Sequence, residues 1–204
     1  FVELTENDEV VPVMLKYMHK QRQPDIKKMD FKVLKGLAEA SEKYFIYSAM
    51  DICKIQMESF AKVHPLDVLN YAAKHYYPEI CDLCAPATLG MSLKKVQLAL
   101  GPTNALRWAT YREGFLDIIR TQNTPPVVQH KGGFMTCELW KEVDIQSRVM
   151  RRVLADPQCL LSVSWRSEML ALFSECQHCM IRVTLWVDGM RRSAITLPVF
   201  SEVV

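Results

Sequence analysis

The sequence predicts a mainly α-helical chain, and three observations carry that prediction. Apolar residues recur at three- and four-residue spacing through most of it. Asp, Ser and Pro, which open helices, precede several of these stripes. Only 7 glycines occur among 204 residues, leaving few positions for the positive φ that a β-barrel's tight turns use.

The elements follow in order. Val2-Glu3-Leu4 reads as the end of a strand, and Thr5-x-x-Asp8 as a capping box opening a helix to about His19. Pro12 fits there because the first turn has spare N–H groups. Asp30 caps a helix whose stripe is Phe31, Leu34, Leu37, Ala38 and Ser41. Ser48 is expected to cap the next, which places Ala49, Ile52, Cys53, Met57 and Phe60 on one face. His64-Pro65 and Pro78 each start a further helix, the second carrying Ile80, Leu83, Cys84 and Ala87. Ser92 to Leu100 forms a short helix closed by Gly101-Pro102, and a long one follows with Ala105, Trp108, Ala109, Phe115, Leu116 and Ile119 on one face.

Residues 123–133, with Pro125-Pro126 and Gly132-Gly133, read as a linker. Beyond them Leu139, Val143, Met150 and Leu154 mark a polar helix ending before Pro157, and Met169, Leu172, Phe173 and Cys176 mark another. The last stretch is ambiguous. Ile181, Val183, Leu185 and Val187 alternate ahead of Asp188-Gly189, as in a hairpin, whereas Val183, Val187, Met190, Ala194 and Leu197 fit a helix; the helix is preferred.

Charge excludes some classes. The 25 basic and 23 acidic residues leave a net +2, no electrostatic case for nucleic acid or an anionic membrane. The longest apolar runs, such as Val10 to Leu15, fall far short of the roughly 20 residues of a membrane span. Seven cysteines, an odd number with several at core-facing helix positions, and no signal peptide indicate reduced thiols and an intracellular protein, cytoplasmic or nuclear. A first residue other than Met suggests a piece of a longer chain.

Five segments carry a family resemblance: Leu4-Thr5-Glu6, Met14-Leu15-Lys16-Tyr17-Met18, Gln23-Pro24-Asp25, Leu37-Ala38-Glu39-Ala40-Ser41-Glu42-Lys43-Tyr44 and Ala49-Met50-Asp51-Ile52-Cys53. Together they resemble the C-terminal half of a BTB/POZ domain, of the type abundant in mushroom-forming fungi. Tyr71-Ala72-Ala73-Lys74-His75-Tyr76-Tyr77-Pro78 and the pairs Cys137-x-x-Trp140 and Cys176-x-x-Cys179 resemble the parts that trail it. The family's opening strands and His-Arg motif do not occur. The resemblance implies one residual strand plus helices over 1–60, a helical extension over 61–122, and a small helical unit over 134–204 after the linker. It also implies a non-catalytic interaction module whose partners are proteins: a second copy through the full-length domain, or a cullin-type ligase scaffold. The partners of Phe31 and Val2 would then lie in the absent half, leaving the isolated chain marginal and aggregation-prone. The first helix, with Met14, Tyr17 and Met18, and the loop from Arg22 to Asp25 are the expected interaction face.

No catalytic constellation emerges: the Gly-x-Ser-x-Gly, Gly-x-x-x-x-Gly-Lys, Gly-x-Gly-x-x-Gly and His-Glu-x-x-His patterns do not occur, and no cofactor is expected. Cys81-x-x-Cys84 has redox spacing but falls in mid-helix, so core packing is the reading. Cys176-Gln177-His178-Cys179 supplies two zinc ligands, which Cys137 and His130 or His178 could complete. A zinc-stabilised regulatory domain is therefore the alternative function, and a thiol enzyme at Cys81 or Cys176 the remaining one. Arg148, Arg151 and Arg152 read as a solvated helix face balanced by Glu138, Glu142 and Asp144.

Overall fold

The computed structural model describes residues 4–130 and 138–203, apart from the side chains of 141–143. All regular structure among the described residues is helical. The chain divides into two compact units, residues 1–85 and 86–204. The boundary falls between Ala85 and Pro86, whereas the sequence suggests a linker at 123–133.

Unit 1 comprises α1 (Val10–Met18), a 3-10 turn (Ile26–Lys28), α2 (Phe31–Lys43), α3 (Tyr47–Ser59), α4 (Pro65–Lys74) and the start of α5 (Pro78–Thr88). Asp30 caps α2 as expected, its Oδ1 accepting from the N–H of Lys32 at 2.8 Å. Leu34, Leu37, Ala38 and Ser41 from α2 are fully buried, as are Ala49, Cys53 and Met57 from α3. Ser41 escapes the cost of a buried hydroxyl by donating to the Leu37 carbonyl at 2.6 Å.

Four expectations for this unit are corrected. Leu4 is not in a strand, and residues 2 and 3 lie outside the described residues. No capping box forms at Thr5: α1 opens at Val10, with Asn7 Oδ1 accepting from the Glu9 N–H. Ser48 does not cap α3, which opens two residues earlier behind Ile46. Phe31 is also not left waiting for an absent half, while Val2 lies outside the described residues. Phe31 stacks on His64 with ring centroids 3.9 Å apart and leans on Phe60 at 5.0 Å, both within the unit.

Unit 2 comprises α6 (Leu93–Thr121), α7 (Glu138–Val143), α8 (Ile145–Ala155), a 3-10 turn (Pro157–Leu161), α9 (Val163–Ala171), α10 (Gln177–Ile195) and a last 3-10 turn (Phe200–Glu202). Gly101, with φ 72° and ψ 174°, kinks α6 where the sequence ends one helix and begins another. Trp108, Phe115, Phe173 and Phe200 are almost fully buried.

The polar helix after the linker is two helices, broken by Asp144 in the left-handed region. The inner face of α8 is Ile145, Val149 and Val153, while Leu154 is exposed, one position off the expected stripe. The stripe from Met169 to Cys176 is not one helix either, because α9 ends at Ala171 and Cys176 is the N-cap of α10. The final ambiguity resolves to helix: Val183, Val187, Met190 and Ala194 are buried along α10 and Gly189 lies within it.

Segment 122–130 is irregular but tethered. The Trp186 indole donates to the Gln122 carbonyl at 2.7 Å, Arg182 Nε to the Pro126 carbonyl at 2.7 Å, and Gln122 Nε2 to the Ser193 hydroxyl at 2.7 Å. It is a strap along α10 within unit 2.

Candidate functional site

Two places in the molecule gather chemistry, one in each unit. In unit 1 an open groove of about 600 Å³ lies between residues 5–10, α2 and the end of α4. Its floor is small and apolar: Val10, Val33, Gly36 and Ala40. Gly36 permits this closeness, since a Cβ there would meet Val10 Cγ2 at 2.6 Å.

The rim is a chain of ion pairs and charged hydrogen bonds. Lys43 pairs with Glu6 at 2.7 Å, and Tyr44 donates to the same carboxylate at 2.9 Å. Glu39 receives Lys74 and the His75 Nε2 edge, the latter at 3.1 Å. Burial raises the Glu39 pKa, but the hydrogen bonds from Lys74 and His75 outweigh it and hold the carboxyl below its ordinary value. Glu42 accepts from Tyr71 at 2.9 Å and from Tyr77 at 2.6 Å. Burial and the Glu42 carboxylate push the Tyr71 hydroxyl well up, and the Tyr77 hydroxyl to about 12. These phenols are therefore held as donors, and the rim groups engage one another rather than converging on a reacting atom.

Beside this rim the backbone does something costly. The α2 C-terminus closes with the Ile46 N–H donating to the Ser41 carbonyl at 2.9 Å, and the α4 C-terminus with the Tyr77 N–H donating to the Ala72 carbonyl at 2.9 Å. Both are Schellman closures, whose left-handed residue is usually Gly. Here it is Phe45, at φ 54°, and Tyr76, at φ 61°. A side chain in that region costs about 1–2 kcal/mol, and neither ring recovers the cost by burial: Phe45 is 68% exposed and Tyr76 89%. Tyr47, close to Phe45 in sequence, is 71% exposed. The Glu42 to Tyr77 hydrogen bond sets both helix ends at the same end of the unit.

The expected interaction face on α1 is only partly at the surface. Met14 and Tyr17 are buried in the core, and the Tyr17 hydroxyl finds no hydrogen-bond partner among the described residues; Leu15 and Met18 point outward.

In unit 2, His130 at the end of the strap meets the opening of α10. His130 Nε2 lies 3.0 Å from Cys176 Sγ, and the ligand atoms of His130, Cys176 and Cys179 all lie within 4.8 Å of one another. Cys179 is buried and Cys176 half-buried. The His178 ring stands 4.8 Å from that of His130 but is not among the three convergent donors. Cys137 lies outside the described residues.

The other sequence candidates separate from chemistry. Cys81 and Cys84 are buried in α5, and burial pushes the Cys84 thiol up to about 12, as it does Cys53 and Cys159. Arg148, Arg151 and Arg152 are exposed on α8, with Arg152 3.6 Å from Asp156. Sequence reasoning missed Phe45 and Tyr76. The signal was available, because two helix stripes end without the Gly that usually closes them.

No family model, curated protein or solved structure matches the chain. No helix among the described residues is long and apolar enough to cross a membrane.

Proposed function

We propose that this chain is a non-catalytic protein-interaction module, and that its docking face is the aromatic end of unit 1. The observation that carries this reading is the pair of exposed aromatic residues in left-handed Schellman positions. Strain that stability does not explain is a pointer to function. Tyr and Phe are also residues that anchor interfaces, losing little side-chain entropy for the area they bury. The groove alongside offers a small apolar floor between charges of both signs. It fits an extended segment of a partner protein that inserts one apolar side chain and lays polar neighbours across the Glu39, Lys43 and Lys74 rim. The resemblance to BTB/POZ proteins makes a cullin-type scaffold, or a second copy of a longer chain, the first partners to try.

The test separates stability from binding. Phe45→Gly and Tyr76→Gly relieve the left-handed strain, so each variant melts higher, by about 1 kcal/mol of added stability. The same variants lose the anchors, so cross-linking to a partner from the native host falls severalfold, and falls further in the double variant. Unchanged cross-linking in the more stable double variant would sink the reading, as would a lower melting temperature in both single variants.

A further inference from the structure

We propose that His130, Cys176 and Cys179 form a zinc site, holding the ion through one imidazole nitrogen and two thiolates. Three ligands suited to a borderline-soft cation converge, with every pair of donor atoms within 4.8 Å. Tetrahedral zinc with Zn–S near ~2.3 Å and Zn–N near ~2.0 Å sets donors about 3.5–4 Å apart, so a small side-chain adjustment closes the site.

The fold presets these donors. Cys176 is the N-cap of α10 and Cys179 sits in its first turn, so one helix opening presents both sulfurs on the same side. His130 is delivered by the strap, which Arg182 fixes at the Pro126 carbonyl and Trp186 at the Gln122 carbonyl. Arg182 also lies over the Trp140 ring, 4.1 Å from its centroid, which ties α7 to the same corner. Binding displaces one proton from each thiol to solvent and leaves a neutral core of one Zn²⁺ and two thiolates with imidazole; nothing is oxidised or reduced. A water molecule or a further donor such as His178 completes four-coordination.

A Cys-x-x-Cys pair opening a helix also suits dithiol–disulfide exchange. The convergence of His130 on both sulfurs favours the metal, because an imidazole adds a third ligand that a disulfide does not use. This inference does not depend on the docking face of unit 1.

The full chain, purified without chelator or histidine tag, is expected to carry about one zinc per chain by elemental analysis. A cobalt-reconstituted sample should show tetrahedral ligand-field bands and a sulfur-to-metal charge-transfer band. His130→Ala, Cys176→Ser and Cys179→Ser should each lower zinc affinity by more than the roughly 10–100-fold that loss of an outer-shell partner brings. Cys159→Ser, which alters a cysteine outside the cluster, keeps the metal. If a ligand variant fails to fold, chelator titration of the wild-type chain tests the same point, since removal of zinc should lower its melting temperature. Three outcomes overturn the proposal: no zinc after reconstitution of the reduced chain, full zinc occupancy in the His130→Ala and Cys176→Ser variants, or recovery of Cys176 and Cys179 as a disulfide that excludes metal.

Discussion

In unit 1 helices hold one another through matched apolar stripes, α2 against α3 above all, and polar contacts gather on the rim. In unit 2 single side chains pin irregular backbone. Trp186 and Arg182 hold the strap, Arg112 Nε donates to the Leu89 carbonyl at 3.0 Å, and Arg107 donates to the Ser201 carbonyl. The Trp108 indole donates to the Thr88 hydroxyl at 2.8 Å. The difference teaches what each unit needs from its sequence. Stripe packing tolerates any residue of suitable volume, whereas pinning needs one donor at one place.

Core truncation gives the largest expected effects and tests whether the two units respond apart. Leu37→Ala should cost about 2–5 kcal/mol and Phe173→Ala about 3–5 kcal/mol, because both side chains are fully buried. Hydrogen exchange should accelerate first across α1 to α4 in the Leu37 variant. In the Phe173 variant it should accelerate first around α9 and α7, where Phe173 packs 5.3 Å from the Trp140 ring. Loss of protection spread evenly over both units in either variant would break the comparison.

Trp186→Phe sharpens it. Much of the ring is retained, but the donor to the Gln122 carbonyl is lost. We expect a cost of about 1–2 kcal/mol, with exchange rising in residues 122–130 rather than along α10. A uniform rise along the helix would mean that the indole serves as filler and that the strap is held by other means.

The α-helical class, the Asp30 cap, the Pro65 and Pro78 starts and the Gly101 break are all legible in the sequence, because each is local chemistry written within a few residues. The stripe of α2 is legible for the same reason, and its burial partners are not. The family resemblance puts the partners of Phe31 outside the chain, although Phe60, at the end of the expected α3 stripe, and His64, which no periodicity could orient, supply them. The strap is hidden for a similar reason: Pro125-Pro126 does signal irregular backbone, but only Trp186 and Arg182, far along the chain, show that it is tethered. At the metal cluster the donor identities can be read and their meeting cannot. His130, Cys176 and Cys179 are one of several combinations the sequence allows, and only tertiary structure selects them. Phe45 and Tyr76 escape notice because an apolar residue after an apolar stripe looks like one more core position.

Gly36 provides a smaller test, confined to unit 1. Ala at this position gains about 1 kcal/mol of helix propensity and loses about 1–3 kcal/mol to overpacking, since its Cβ would sit 2.6 Å from Val10 Cγ2. Val10 is β-branched and stiff, so the clash should dominate and leave Gly36→Ala about 1 kcal/mol less stable than wild type. In a double-mutant cycle Val10→Ala should relieve part of that loss, giving a favourable coupling on the order of 1 kcal/mol. Additive single effects would show that α1 and α2 yield by shifting as bodies, and that the groove floor is not set by this contact.

The smallest expected effect compares one carboxylate from each unit under acid. Glu39 in unit 1 is held below its ordinary value by Lys74 and His75 once burial is overcome, and Asp188 in unit 2 by the Arg166 guanidinium, which donates to both its oxygens at 2.6 and 3.0 Å. A depressed folded-state value means that the unfolded chain takes up the proton first as pH falls. The stabilisation from each group is thus complete above the ordinary carboxylate range and disappears as pH drops through the folded-state value. Both side chains are about a quarter exposed, so solvent screening limits each pair to roughly 0.5–1 kcal/mol. Glu39→Gln and Asp188→Asn should therefore each lower stability near neutral pH by that amount and flatten the acid limb of the stability curve. Asp188→Asn should have the larger effect of the two, because its bidentate partner is a rigid guanidinium while Glu39 leans on a flexible, half-exposed lysine. Equal flattening would show that the geometry of the partner contributes nothing beyond its charge.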